Sequence, residues 1–137
     1  MPQEHWQTEP QQHDFPAAVN YLSLLMPQLA ATTLVNTLRS APTVRHQAKD
    51  LLRASRLNLL KKTNAHVASD LAKIRSGEML SPVLLVRGNI RHGFALTIAD
   101  GYHRVCASYW IDENAEIPCR VVDLASGASP SEATTES

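Results

Sequence analysis

Apolar residues return every three or four positions over the first half of the chain and crowd into short runs over the second, so the pattern predicts helices first and strands later. Asp14 precedes a stretch in which Val19, Leu22, Leu25 and Met26 share a helical stripe, and Asp14 or its neighbour is a residue type that caps such a helix. Pro27 ends it and opens the next, where Leu29, Leu34, Val35 and Leu38 carry the stripe to Arg39 until Ala41-Pro42 breaks it. A third helix is expected after Pro42, with Val44, Ala48, Leu51 and Leu52 on one face and Arg45, Lys49 and Arg53 on the other. Together these helices would form a layer of their own, a helical extension over residues 14–56. Leu57 to Lys62 reads as a linker or a short strand, and Asn64 then caps a fourth helix over Ala65–Ser76 that Gly77 closes.

After Gly77 the texture changes. Pro82 to Val86 is a compact β-type run, Arg87 to Gly93 holds two glycines and Asn89 as a hairpin connection does, and Phe94 to Ile98 reads as a second strand. Ala99-Asp100-Gly101 breaks that strand, His103 to Asp112 has a helical setting, and Cys119 to Val122 is a last short strand after Pro118. The expected class is α+β, with a small mixed sheet in residues 57–124 beside the N-terminal helices. Residues 1–13 and 125–137 are polar and aperiodic and are expected to be disordered tails, because neither can bury enough apolar surface to offset its chain entropy.

Composition narrows the class. With 137 residues, 44% apolar and 19% charged, the chain suits one domain, and its seven aromatics leave the core mostly aliphatic. Cys106 and Cys119 are too few for a disulfide scaffold or a four-ligand zinc site, and the six histidines lack metal-ligand spacing. No run reaches the length of a membrane span, and Met1 to Gln12 carries Glu4 and Glu9 without a Lys or Arg, the opposite of a signal peptide's start. The expectation is a cytoplasmic protein without membrane contact.

The thirteen basic and thirteen acidic residues cancel, but not locally. Residues 39–104 hold twelve bases against four acids, a surplus of eight. Neutrality overall therefore excludes no anionic ligand.

The stretch with most chemistry is Asp100-Gly101-Tyr102-His103-Arg104, at a strand end and opening a helix. A helix N-terminus presents unpaired N–H groups and the positive end of the dipole, Gly101 lets backbone approach a ligand, and His103 and Arg104 can add donors to a phosphate. Asp100 is either the helix cap or a carboxylate able to take a proton. The plain alternative is that Asp100 only caps, His103 is exposed, and Arg104 pairs with Asp112 or Glu113. His66, at the start of the fourth helix, is either a neighbour of the same ligand or a surface or capping histidine. Lys49 and Arg53 either reach a phosphate tail or form a solvated face in which Asp50 pairs with Arg53.

Residues 81–88 (SPVLLVRG) and 94–122 (FALTIADGYHRVCASYWIDENAEIPCRVV) resemble the ParB/sulfiredoxin superfamily, with Gly101, Arg104, Ala107, Ile117 and Pro118 on its pattern. The resemblance implies a ParB/sulfiredoxin-like sheet and a Gly-x-x-Arg turn that binds nucleotide phosphates, as CTP, ATP or ADP is bound by different members. Carried over, the phosphate-binding positions are Gly101, His103 and Arg104, with Asp100 and Tyr102 nearby. Tyr102 stands where sulfiredoxins place a reactive cysteine, which argues against sulfinic acid reduction. The Asp-Gly-x-His-Arg form resembles that of free-serine kinases, but Glu78, the only glutamate between Glu9 and Glu113, is no convincing counterpart of their catalytic glutamate.

The expected function is thus nucleotide binding on the 100–104 turn, with Tyr102, His66, Lys49 and Arg53 as further contacts. Mg²⁺ would arrive with the nucleotide, and Asp100 and His103 would be the catalytic groups if hydrolysis or phosphotransfer occurs. The alternative is a non-catalytic, DNA-associated module. A homodimer is compatible with either.

Overall fold

The computed structural model describes residues 5–124. In chain order the elements are α1 (Asp14–Leu22), α2 (Gln28–Ser40), β1 (Thr43–Gln47), α3 (Ala48–Ser55), α4 (Ala65–Arg75), β2 (Val83–Val86), a 3-10 turn at Ile90–His92, β3 (Thr97–Asp100), α5 (Tyr102–Ile111) and β4 (Glu116–Val122). The four strands form one mixed sheet in the order β1-β4-β2-β3. β4 lies parallel to β2, while β1 pairs antiparallel with β4 and β3 with β2. The fold is α+β, as the sequence pattern predicts.

Every residue of β2 is buried, which a strand covered on both faces requires. Its side chains alternate between two cores. Val83 and Leu85 join Leu51, Val67, Leu71, Val105 and Ile117 under α3, α4 and α5. Leu84 and Val86 join Phe15, Leu22, Leu34, Val35 and Leu38 under α1 and α2. The sheet is therefore the middle of three layers.

That layering corrects the expected helical extension over 14–56. Its third helix divides: Thr43–Gln47 is a strand, registered from Thr43 opposite Arg120 to Gln47 opposite Glu116, and only Ala48–Ser55 is helical. β-branched Thr43 and Val44 follow Pro42, and pairing to β4 supplies hydrogen bonds that an isolated periodicity argument does not see. The switch to helix at Ala48 is fixed by tertiary contacts, since the first N–H groups of α3 donate to Ala115 (3.0 Å) and Glu113 (3.0 Å). α3 then packs on the opposite face from α1 and α2.

The N-terminal stretch is also corrected. His5 and Gln7 flank a short parallel bridge to Leu80, with Gln7 N–H donating to Leu80 O (2.7 Å) and Leu80 N–H to His5 O (2.8 Å). This buries Trp6. One large aromatic among polar residues was enough to anchor the segment, because Trp burial is worth far more than its neighbours' polarity costs. Glu9 adds a charge-assisted hydrogen bond from buried Arg120, whose guanidinium also donates to the last α2 carbonyls, Leu38 (3.3 Å) and Arg39 (2.6 Å). The other expected tail, 125–137, lies outside the described residues.

Smaller shifts follow the same logic. Leu57–Lys62 is a loop, and the second strand is Thr97–Asp100 rather than Phe94–Ile98. Leu96 N–H is turned to Ala54 O on the α3 side (3.0 Å), so ladder pairing begins only after it. Asn64 caps α4 as its sequence suggests, accepting from His66 N–H (3.0 Å) and Val67 N–H (3.1 Å). Among the described residues, no helix is long and apolar enough to cross a membrane.

Candidate functional site

β3 ends at Asp100 and α5 begins at Tyr102, with Gly101 as the residue between. Gly101 has φ +112°, and a Cβ there would stand 2.4 Å from Val83 Cγ1 and 2.9 Å from Arg104 Nη2. Backbone freedom and space both demand glycine. The turn thus seats the start of α5 directly on β2, and α5 has no side-chain cap of its own. Its first N–H groups lack intrahelical acceptors and carry the positive end of the helix dipole.

Arg104, one turn into α5, is the centre of a knot of carboxylates. Its Nη2 donates to Asp100 Oδ2 (2.9 Å) and to Pro82 O (3.3 Å), and its Nη1 lies 4.0 Å from Asp14 Oδ1. Asp14 is 2% exposed, accepts Gln11 N–H (3.1 Å), and has His13 Nε2 at 3.5 Å. Burial pushes the Asp100 carboxyl above its ordinary value, against the attraction and hydrogen bond of Arg104, and the neighbouring Asp14 carboxylate pushes it the same way. One guanidinium thus serves two carboxylates, and its Nε is buried without a hydrogen-bond partner among the described residues.

Beside this knot a cavity of about 250 Å³ opens between the start of α5 and the face of α4. Asp100, Gly101, His103 and Arg104 line it from the turn, and His66, Ser69, Asp70 and Lys73 from α4. Gln11, His13 and Ser81 contribute from the approach to α1 and from the start of β2. The His66 and His103 rings meet with centroids 4.7 Å apart. Burial holds the His103 imidazole below its ordinary value; the charges of His66 and Arg104 act the same way, and Asp70 opposes them. Asp70 has its own cation, Lys73 Nζ at 4.0 Å, yet burial outweighs the nearby positive groups and raises its carboxyl.

Five of the residues singled out in the sequence therefore meet at one cavity: His66, Asp100, Gly101, His103 and Arg104. Three do not line it. The Tyr102 hydroxyl donates to Asn58 O (2.5 Å) and its ring packs on the core under α3–α5. Lys49 and Arg53 lie on α3; Arg53 pairs loosely with Asp50 (3.9 Å) and borders a second cavity. Asp100 pairs with Arg104, so the partner carboxylate is neither Asp112 nor Glu113. Glu78 accepts from Ser76 Oγ (3.2 Å) and does not line the cavity. Both thiols are buried, which pushes Cys106 up and Cys119 up to about 12, so neither is poised as a nucleophile.

Asp14, Asp70 and Lys73 were missed in the sequence. The last two carried a signal, since His66, Ser69, Asp70 and Lys73 stand at i, i+3, i+4 and i+7 and so form one polar stripe on α4. Asp14 carried none, because nothing local to the α1 start announces an arginine ninety residues later. Among the described residues, no group of three or more His, Cys, Asp or Glu side chains is arranged to hold a metal ion.

No protein-family model matches the chain, no curated protein matches it, and no solved structure matches it.

Proposed function

We propose that the protein binds a nucleotide through its phosphates, with the phosphate chain in the cavity at the start of α5. The observation that carries this reading is convergence: the open N-terminus of α5 faces a polar cavity to which Arg104, His103, His66 and Lys73 come from two helices. Each is a donor to phosphate oxygens, and the backbone N–H groups add the geometry that phosphate favours. The ParB/sulfiredoxin-like turn of the sequence supports the same ligand. A cavity of about 250 Å³ suits the phosphates, and the nucleoside would lie over its open side.

Binding is better supported than turnover. The Asp100 carboxylate is occupied by Arg104, so His103, held neutral near pH 7 by burial, is the group able to accept a proton. Mg²⁺ would arrive on the nucleotide, held by phosphate oxygens with at most one carboxylate, Asp70, and its chemistry would be charge neutralisation.

Isothermal titration with CTP, ATP, ADP and GTP, each with Mg²⁺, tests the reading. At least one should bind, and Lys73→Met, a change at a half-exposed side chain, should weaken it about tenfold, the scale of one charge-assisted hydrogen bond. No binding, or equal binding by the variant, would remove the proposal. Binding to duplex DNA with a steep salt slope and no nucleotide affinity would replace it with the DNA-associated reading.

A further inference from the structure

The second cavity lies at the far end of β2, between α3 and the loop that joins β2 to β3, and its volume is about 520 Å³. Small-molecule sites commonly span ~300–1,000 Å³ and combine an apolar lining with a few placed polar groups. This one has that composition. Leu51, Leu85, Leu96 and Val121 form an apolar floor, and Phe94, 60% exposed, stands at the edge. Arg53, Arg56 and Arg87 border it from two elements.

The three arginines are not equally engaged. Arg87 is held by Asp123 (2.5 Å), and Arg53 has a long contact to Asp50 (3.9 Å) in which both side chains are more than half exposed, a pair of little strength. Arg56 Nη1 donates to Gly93 O (3.3 Å), reaching across from α3 to the loop, and has no carboxylate partner among the described residues. Arg56 is also the only described non-glycine residue with positive φ (59°), so the end of α3 is bent into the left-handed region where its side chain extends along this cavity. On the loop side Gly88 admits no side chain, since a Cβ would stand 2.6 Å from Phe94 O, and the strands close tightly behind the cavity.

From the apolar floor and the arginine border we infer that this cavity binds a small amphiphilic acid, with its apolar body on Leu51, Leu85, Leu96 and Val121 and its carboxylate on Arg56 and Arg53. Asp50 is the one carboxylate in the lining, so the border carries three guanidinium groups against one carboxylate and favours anionic over cationic amphiphiles, while the apolar floor disfavours acids with no apolar body. The site is separate from the cavity at α5, with which it shares no lining residue.

Octanoate is the probe, with octylammonium and acetate as the charge and body controls, each titrated into the full chain by ¹H–¹⁵N correlation spectroscopy. Octanoate should bind saturably and shift the amides of Ala95, Leu96 and Val121, while both controls leave them in place. Arg56→Gly removes the guanidinium and suits the left-handed backbone, so the chain should fold while octanoate binds about tenfold more weakly. Ala54→Phe, at an exposed α3 position lining the cavity, keeps all three arginines and should abolish binding by filling the space. The inference is overturned if octanoate produces no saturable shift, if octylammonium binds equally, or if both cavity variants bind octanoate as the natural chain does.

Discussion

The two cavities flank the same buried strand and differ in how each is held. The cavity at α5 is lined mostly by polar groups, with Met79 and Leu80 the apolar exceptions, and depends on a guanidinium already tied to two carboxylates. The cavity beside α3 has an apolar floor, and its charges stand at the border, one of them without a carboxylate partner among the described residues. Charge is structural in the first and available in the second. Changes at the Gly101–Arg104 turn of the first should therefore cost stability together with binding, whereas changes at the border of the second should cost binding alone.

Glycine substitutions give the largest contrast. Gly101→Ala combines φ +112° with a Cβ 2.4 Å from Val83, a core residue of β2, and should destabilise the fold by about 3 kcal/mol. Gly93→Ala shares the positive φ (+76°) but meets nothing within 4 Å, so it should cost about 1 kcal/mol. Urea midpoints of the two variants measure the difference. Equal midpoints would mean that the α5 turn is not wedged on the sheet.

Arg104 comes next. Replacing it with Met leaves Asp14 and Asp100 facing each other without their cation, and the expected loss is about 2 kcal/mol at pH 7, below the figure for a fully buried pair because solvent reaches part of the site. The loss should shrink as pH falls and the carboxyls take up protons. A cost that stays constant down to pH 4 would show that Arg104 acts by packing and not by charge.

How much of this was legible in the sequence follows the range of the interactions. Asn64 as a cap, Gly77 and Gly101 as turns, and the clustering of Asp100, His103 and Arg104 all depend on neighbours within a few residues, and these were readable. The strand at Thr43–Gln47 depends on β4, whose paired residues lie 69 to 77 positions away, and Trp6 depends on Leu80. Asp14 shows the same limit at the site: its sequence position suggests a cap, while its burial and its arginine come from the β3–α5 turn folding against α1. Lys49 and Arg53 lie away from the α5 cavity for the related reason that the expected helix was split; Arg53 keeps the solvated pair with Asp50 that its spacing suggests and borders the other cavity.

A smaller effect lies in the pH dependence of stability. The Asp70 carboxyl is raised by burial, so the folded chain holds this proton more tightly than the unfolded one. Its contribution is present below the ordinary value of 3.8 and is lost as pH rises through the raised folded value, so stability falls across that window on its account. Asp70→Asn should flatten that part of the profile and be at least as stable as the natural chain at pH 7, measured by urea midpoints from pH 3 to 7. A shallower acid limb in the variant, with lower stability than the natural chain at pH 7, would mean that Lys73 and the histidines stabilise the carboxylate more than burial penalises it.

The finest discrimination between the cavities is in protons. Burial holds His103 below its ordinary 6.5, so in the free protein the imidazole is mostly neutral at pH 7. Phosphate oxygens in the cavity would favour the charged form, and binding should therefore draw a fraction of a proton from solvent, with affinity falling as pH rises through the histidine range. Titrations in buffers of different ionisation heat give the number directly. The nucleotide's own phosphate also titrates near this pH, so the informative quantity is the difference between the natural chain and His103→Gln, in which the phosphate contribution is common to both. The difference should be positive, and its absence would place His103 outside the ligand's field even if nucleotide binds. At the other cavity, which His103 does not line, the acid is met by guanidinium groups that stay protonated throughout this range, so octanoate should show the same proton count with and without His103.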